Sequence, residues 1–228
     1  DLSAAKDLNL DLRGKFQMPG AGEKTVDAWS TVIGSFSLGD RSFKDRKFYV
    51  LPLNEIKENL KLPYLDGIIG YDFFRDSVVR IDYPNKKITF SSEFEGNDGI
   101  PFTIHGSHLP EFEVEIDGSK SRFVIDTGDR SKLTLGRVFS DQLLKRSEYA
   151  LSEEKITGYG LGGPILARTF SLRFLRIGRI EAKNVETRIP NLNGGAFSRP
   201  DFTGSIGSGL LKDYKITIDY PNRLLYIE

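Results

Sequence analysis

Apolar and acidic side chains alternate along Phe112-Glu113-Val114-Glu115-Ile116, the two-residue period of a strand with one buried face. Asp117-Gly118 follows, a pair suited to the tight turn of a hairpin. Ser121-Arg122-Phe123-Val124-Ile125 then reads as the returning strand. Lys47-Phe48-Tyr49-Val50-Leu51, Val78-Val79-Arg80-Ile81 and Ile216-Thr217-Ile218 read as further strands. Helical periodicity is confined to residues 3–8, 53–60 and 141–145. Phe73, Phe74 and Tyr149 read as core or rim packing. Many short strands separated by Gly, Pro and Asn turns predict an all-β sandwich or barrel with few short helices.

The pattern repeats. Residues 66–90 read DGIIGYDFFRDSVVRIDYPNKKITF, and residues 203–227 read TGSIGSGLLKDYKITIDYPNRLLYI, an ungapped offset of 137 residues. Gly67, Ile69, Gly70, Asp76, Ile81, Asp82, Tyr83, Pro84 and Asn85 recur as Gly204, Ile206, Gly207, Asp213, Ile218, Asp219, Tyr220, Pro221 and Asn222. Weaker echoes link Gly20-Ala21-Gly22 to Gly160-Leu161-Gly162, and Ser37-Leu38-Gly39 to Arg176-Ile177-Gly178. The chain therefore divides into two related lobes, residues 1–95 and 96–228, joined at the polar stretch 91–99. Within each repeat, the Tyr-Pro-Asn step makes a turn because proline presets φ and Asn tolerates the position after it. The bracketing glycines predict either close backbone approach or positive φ.

Composition narrows the chemistry. The 32 basic and 32 acidic residues cancel, and no Lys/Arg run exceeds three residues, so the footprint of a general nucleic-acid binder is missing. With no cysteine, thiolate nucleophiles, disulfides and cysteine-bound metals are excluded. No apolar run approaches the length of a membrane-spanning helix. The chain opens on Asp1, so a leader could have preceded it. His105 and His108, the two histidines, sit three apart without an evident acidic partner, too few ligands for a metal site, and no nucleophile elbow is visible for a Ser–His–Asp triad to use either of them. Gly158-Tyr159-Gly160-Leu161-Gly162-Gly163 spells a dinucleotide fingerprint, but Pro164 and a β-like run follow where a helix is required. Gly20 to Thr25 fails the phosphate-loop pattern because Gly and Lys are not adjacent. No metal or cofactor is expected.

One motif carries chemistry. Phe123-Val124-Ile125-Asp126-Thr127-Gly128 puts an acid at the end of an apolar strand, where desolvation raises its pKa unless its charge is stabilised. Alone, Asp-Thr-Gly is a weak match. Its context is more specific, since it follows a hairpin and precedes, by about 75 residues, the Gly-flanked turn that the repeat duplicates.

With these residues in view, the chain resembles the bacterial two-lobed aspartyl proteases related to retropepsins and pepsins. Asp126-Thr127-Gly128 resembles the catalytic triplet. Ile68-Ile69-Gly70 and Ser205-Ile206-Gly207 resemble the hydrophobic–hydrophobic–Gly turns beside it. Residues 156–163 resemble the flap of the second lobe, residues 16–22 the flap of the first, and Gly194-Gly195-Ala196-Phe197 is also familiar from the family. The resemblance implies a two-lobed, pseudo-twofold acid-protease barrel fold with a cleft, and an aspartic endopeptidase acting on a peptide or protein substrate. Two aspartates share a proton across the dyad and activate one water. Asp126 would be one of them, Thr127 and Gly128 would brace its loop, and Tyr159, Gly160 and Leu161 would close over the substrate. It further implies a location in the periplasm or outside the cell, and a neighbouring PDZ module.

Two departures stand out. A second triplet is not found, and Asp1-Leu2-Ser3 is a poor substitute. Its expected place lies upstream of residue 1, with a hairpin of about thirty residues. Three readings stay open: that hairpin belongs to the protein but not to this stretch; the chain is a non-catalytic peptide-binding or scaffold module; or a homodimer brings two Asp126 side chains together. The second departure is Asp129, where the family has a small residue. This extra acid disfavours ionisation of Asp126 if it points inward, with Arg130 or Lys132 as expected neutralising partners.

Overall fold

The computed structural model describes residues 1–39, 41–106, 108–191 and 193–228. The chain folds as two units. One comprises Asp1–Ile68 with Ile156–Ile165 and Leu192–Ala196; the other comprises Ile69–Lys155, Leu166–Asn191 and Phe197–Glu228.

The first unit begins with helix α1 (Leu2–Asp7). Three antiparallel strands follow in the order β1 (Arg13–Pro19), β2 (Thr25–Leu38) and β3 (Arg41–Val50), and then helix α2 (Asn54–Leu60). The Asp1 side chain is fully buried. One of its oxygens accepts from the Leu53 amide at 3.0 Å, the other from Lys57 Nζ at 2.6 Å. Asp1 thereby satisfies a free amide at the start of α2, the service a capping acid performs. Lys61, at φ 52°, ends that helix in the left-handed conformation.

The second unit holds helix α3 (Tyr71–Phe74) and strands β4 (Val78–Asp82), β5 (Lys87–Ser91), β6 (Ile100–Ile104), β7 (Pro110–Ile116), β8 (Ser119–Asp126) and β9 (Leu133–Leu135). Helix α4 (Arg137–Arg146) leads to β10 (Lys155–Gly160), β11 (Gly163–Ile177) and β12 (Ile180–Pro190); the division between units passes through β10 and β11. After these come β13 (Gly204–Gly207), helix α5 (Ser208–Leu211), β14 (Lys215–Asp219) and β15 (Leu224–Ile227). Helix α4 is longer than the expected 141–145. Its N-cap is Gly136, whose carbonyl accepts from the Ser140 amide in the helix's first hydrogen bond.

Strands β7, β8, β13, β9, β12 and β11 pair in that order, and pairing of β11 with β7 (Leu175 opposite Ile116) closes them into a barrel. Closure removes the free edges that an open sheet exposes. The alternation predicted for residues 112–116 holds. Phe112, Val114 and Ile116 are buried, while Glu111, Glu113 and Glu115 point outward to Arg122, Lys120 and Arg176. Phe123, Val124 and Ile125 are buried consecutively, because the end of β8 is covered on both faces. Phe123 and Ile125 join Leu133, Leu135, Leu172, Leu175, Ile177 and Ile206 in one core cluster; each such side chain contributes about 1.5–3 kcal/mol of burial. The fold is all-β with few short helices, as expected.

Outside the barrel, β6 pairs with β7 and β15, followed by β14, β4 and β5. The two copies of the repeated hairpin therefore lie side by side, β4 antiparallel to β14. Each hairpin turn is built identically. Asp82 accepts from the amide and side chain of Asn85 at 3.1 and 2.8 Å, and Asp219 does the same for Asn222 at 2.9 and 2.9 Å. Positive φ falls on Lys86 and Arg223, the residues after Asn.

Candidate active site

Strand β8 ends at Asp126, and the loop after it turns on the triplet. The Gly128 amide donates to Asp126 Oδ1 at 3.0 Å, and the Asp129 amide donates to the Asp126 carbonyl at 3.2 Å. Thr127 and Gly128 are exposed, while the Asp126 side chain is partly buried. Burial raises the Asp126 pKa above the ordinary carboxylate value, and the negative charge of Asp129 adds to the effect. The Gly128 and Asp129 amides and the Arg188 cation act the other way.

Asp129 does point inward, but its cation is neither Arg130 nor Lys132. Arg188 Nη2 meets Asp129 Oδ2 at 2.8 Å, and both side chains are nearly inaccessible, at 6% and 9% exposure. Parallel pairing of β12 with β9 sets Arg188 opposite Thr134, and Arg188 Nε donates to Thr134 Oγ1 at 2.8 Å. The Ser131 amide and hydroxyl also donate to the Asp129 carboxylate, at 2.9 and 2.8 Å. The Arg188 guanidinium lies over the Phe197 ring at 5.4 Å. Sequence reasoning missed Arg188 because the contact spans 59 residues and arises from strand order, which no local pattern encodes.

Beside the triplet passes β13, parallel to β8 with Ile206 opposite Ile125 and Gly207 opposite Asp126. Close approach explains both of its glycines. A Cβ at Gly204 would meet Phe123 Cε1 at 2.2 Å and the Thr134 carbonyl at 2.5 Å; one at Gly207 would meet the Ser131 carbonyl at 2.2 Å. Ser208 fastens the loop further, donating from its amide and hydroxyl to the Asp129 carbonyl at 2.7 and 2.8 Å.

The first copy differs. Residues 67–70 form no strand, and a Cβ on Gly67 or Gly70 would meet nothing within 4 Å. Neither glycine has positive φ. Ile68 is 64% exposed, whereas its repeat equivalent Ser205 is 1% exposed. The close approach expected at Gly67 and Gly70 is thus corrected. In the second copy the approaching backbones belong to the loop after β8 and to β9, and residues 67–70 have no such neighbours among the described residues.

Tyr159, Gly160 and Leu161 lie at the tip of the β10–β11 turn, in the first unit. This tip is knitted to residues 20–24 and 193–196. The Gly22 amide donates to the Leu161 carbonyl at 2.8 Å, the Lys24 amide to Gly162 at 3.1 Å, and the Ala196 amide to Gly20 at 2.8 Å. Gly162 has φ +87°, and a Cβ there would lie 1.8 Å from the Lys24 carbonyl. The glycines here permit three backbone segments to touch. The literal dinucleotide fingerprint is thereby a strand-to-strand turn, since β11 follows it.

The histidines have partners that the sequence did not suggest. His105 Nε2 lies 3.6 Å from Asp201 Oδ2, and His108 stacks on Tyr71 at 5.3 Å.

No protein-family model matches this chain. No curated protein matches it either. Among solved structures, it is similar to a retropepsin-like aspartic protease from Rickettsia conorii, at 21% identity and a TM-score of 0.38, over 56% of this chain and 89% of that one.

Proposed function

We propose that this chain is the larger part of an aspartic-type endopeptidase in which Asp126 is one of two carboxylates that activate a water against an extended peptide. The observation that carries this reading is the setting of Asp126. Its carboxyl closes an apolar strand, is turned onto the amide of Gly128, and is biased toward its protonated form by burial and by Asp129. A carboxyl biased toward its protonated form is suited to donate to a peptide carbonyl, and an ionised partner can take a proton from water. Thr127 and Gly128 shape the loop, and Tyr159, Gly160 and Leu161 are the residues assigned to substrate binding. The lobes of this enzyme are residues 1–95 and 96–228.

The test is cleavage of an unfolded protein substrate by the protein carrying whatever sequence is encoded ahead of Asp1. Asp126→Asn is expected to abolish it; retained cleavage removes the assignment. The 228 residues alone are expected to cleave little, because a single carboxylate lacks the partner that shares its proton. One observation favours a second reading, a peptide-binding module of the same fold. Ile68 and Ile69 are exposed apolar side chains that a bound peptide would cover. Peptide binding without cleavage by the longer protein supports that reading.

A further inference from the structure

Behind the Asp126 loop lies a buried ion pair that the catalytic reading does not use. Arg188 reaches Asp129 at 2.8 Å with both side chains almost wholly enclosed. Burying two charges is costly unless every polar atom is engaged, and here the engagement is extensive. Asp129 receives the Ser131 amide, the Ser131 hydroxyl, the Thr134 hydroxyl and Arg188 Nη2. Arg188 also donates from Nε to Thr134 and lies over Phe197. The Asp129 carbonyl is held by Ser208, and the Ser131 carbonyl by the Gly209 amide. The loop carrying the triplet is thereby tied at one point to β9, β12 and α5.

We propose that Asp129 and Arg188 form a positioning pair that fixes the shape of the Asp126 loop and sets the balance of charge that the Asp126 carboxyl faces. Neither is a catalytic residue; both act through Asp126. Among the described residues, the groups that act on Asp126 are the Gly128 and Asp129 amides, the Asp129 carboxylate and the Arg188 cation, and Tyr83 is near enough to feel its charge. Among the described residues the buried Tyr83 hydroxyl has no hydrogen-bond partner, and its pKa is raised by burial and then by the charge of Asp126. Asp129 and Arg188 pull the Asp126 proton in opposite directions.

The proposal rests on Asp126 being the acid of interest, but its test needs no protease activity. The probe is the side-chain carboxyl carbon of Asp126, followed by NMR through a pH titration of the full 228-residue protein. Asp129→Asn keeps the side chain's size and removes the negative charge, so the Asp126 midpoint is expected to fall. Arg188→Gln removes the cation, so the midpoint is expected to rise. The double variant is expected to return toward the starting value. Arg188→Lys keeps the charge while losing the Nε bond to Thr134, and is expected to hold the midpoint. Should Arg188→Gln fail to fold, Asp129→Asn and Arg188→Lys decide alone. An Asp126 midpoint unmoved by Asp129→Asn, or moved as far by Arg188→Lys as by Asp129→Asn, overturns the proposal. If the midpoints move as expected but the longer protein cleaves nothing, the positioning pair stands and the protease reading falls.

Discussion

Arg80 faces Thr217 across the antiparallel pair β4–β14, and the two residues occupy the same place in the repeat. The neighbouring pairs obey the same exchange. Val79 meets Ile218 and Ile81 meets Ile216, and 79 and 81 are the repeat equivalents of 216 and 218. A local two-fold relation therefore passes between Arg80 and Thr217. Duplicated sequence pairs with itself because identical alternation offers complementary faces when the strands run antiparallel.

The same two copies differ at their glycines, which makes an internally controlled comparison. Gly204→Ala and Gly207→Ala each push a methyl into backbone or ring atoms closer than 3 Å. Each is expected to cost about 1–3 kcal/mol or more in urea unfolding. Gly67→Ala and Gly70→Ala meet open space and are expected to lie within about 0.5 kcal/mol of the parent protein. Equal losses at all four positions would contradict the packing described for β13.

Asp126 should be a liability for stability. Its folded pKa is raised by burial and by Asp129, so the folded state binds a proton that the unfolded chain releases. The cost is absent at pH well below the ordinary carboxylate value. It grows as pH rises through the unfolded pKa and is complete above the folded one. Asp126→Asn is accordingly expected to raise Tm at neutral pH, with the gain shrinking to nothing on acidification toward pH 3. Thermal scans across that range check it, and a gain independent of pH would point to some other cause.

Asp219 and Asp82 make the same turn in different surroundings. Asp219 is 1% exposed and accepts two hydrogen bonds from Asn222. Asp219→Ala leaves those donors facing a buried gap and is expected to cost about 1–3 kcal/mol. Asp82 sits in a more open turn, where water can replace the lost acceptor, so Asp82→Ala is expected to cost clearly less. Chemical denaturation of the two variants side by side gives the difference.

Gly162 is the tightest point of the junction in the first unit. Gly162→Ala would impose a left-handed backbone on a side chain and drive its methyl into the Lys24 carbonyl. Hydrogen exchange at the Gly22 and Lys24 amides, which donate to Leu161 and Gly162, is expected to speed up at least tenfold. Unchanged exchange would show that the junction does not depend on that glycine.

Much was legible in the chain itself. Alternation over 112–116 located β7 and its inward face, since a strand's side chains take opposite sides in turn. The Asp-Gly pair located the β7–β8 turn, where Asp117 and Gly118 both have positive φ. Repetition at a spacing of 137 located the paired hairpins. The Asp126 triplet stood out through its context, a hairpin before it and the duplicated Gly-flanked turn after it. These are local signals, carried by residues near one another in sequence.

Tertiary structure alone decided the rest. Which cation meets Asp129 depended on the order of strands in the barrel, which placed β12 beside β9 and so brought Arg188 in from 59 residues away. Whether a Gly-bracketed turn becomes a strand depended on its neighbours: Gly204 to Gly207 found β8 and β9 on either side, while the nearly identical residues 67–70 found neither. Local sequence states what a segment can pair with, because periodicity and backbone freedom are properties of the segment. Pairing itself needs a second backbone at hydrogen-bonding distance, and only the folded chain supplies it.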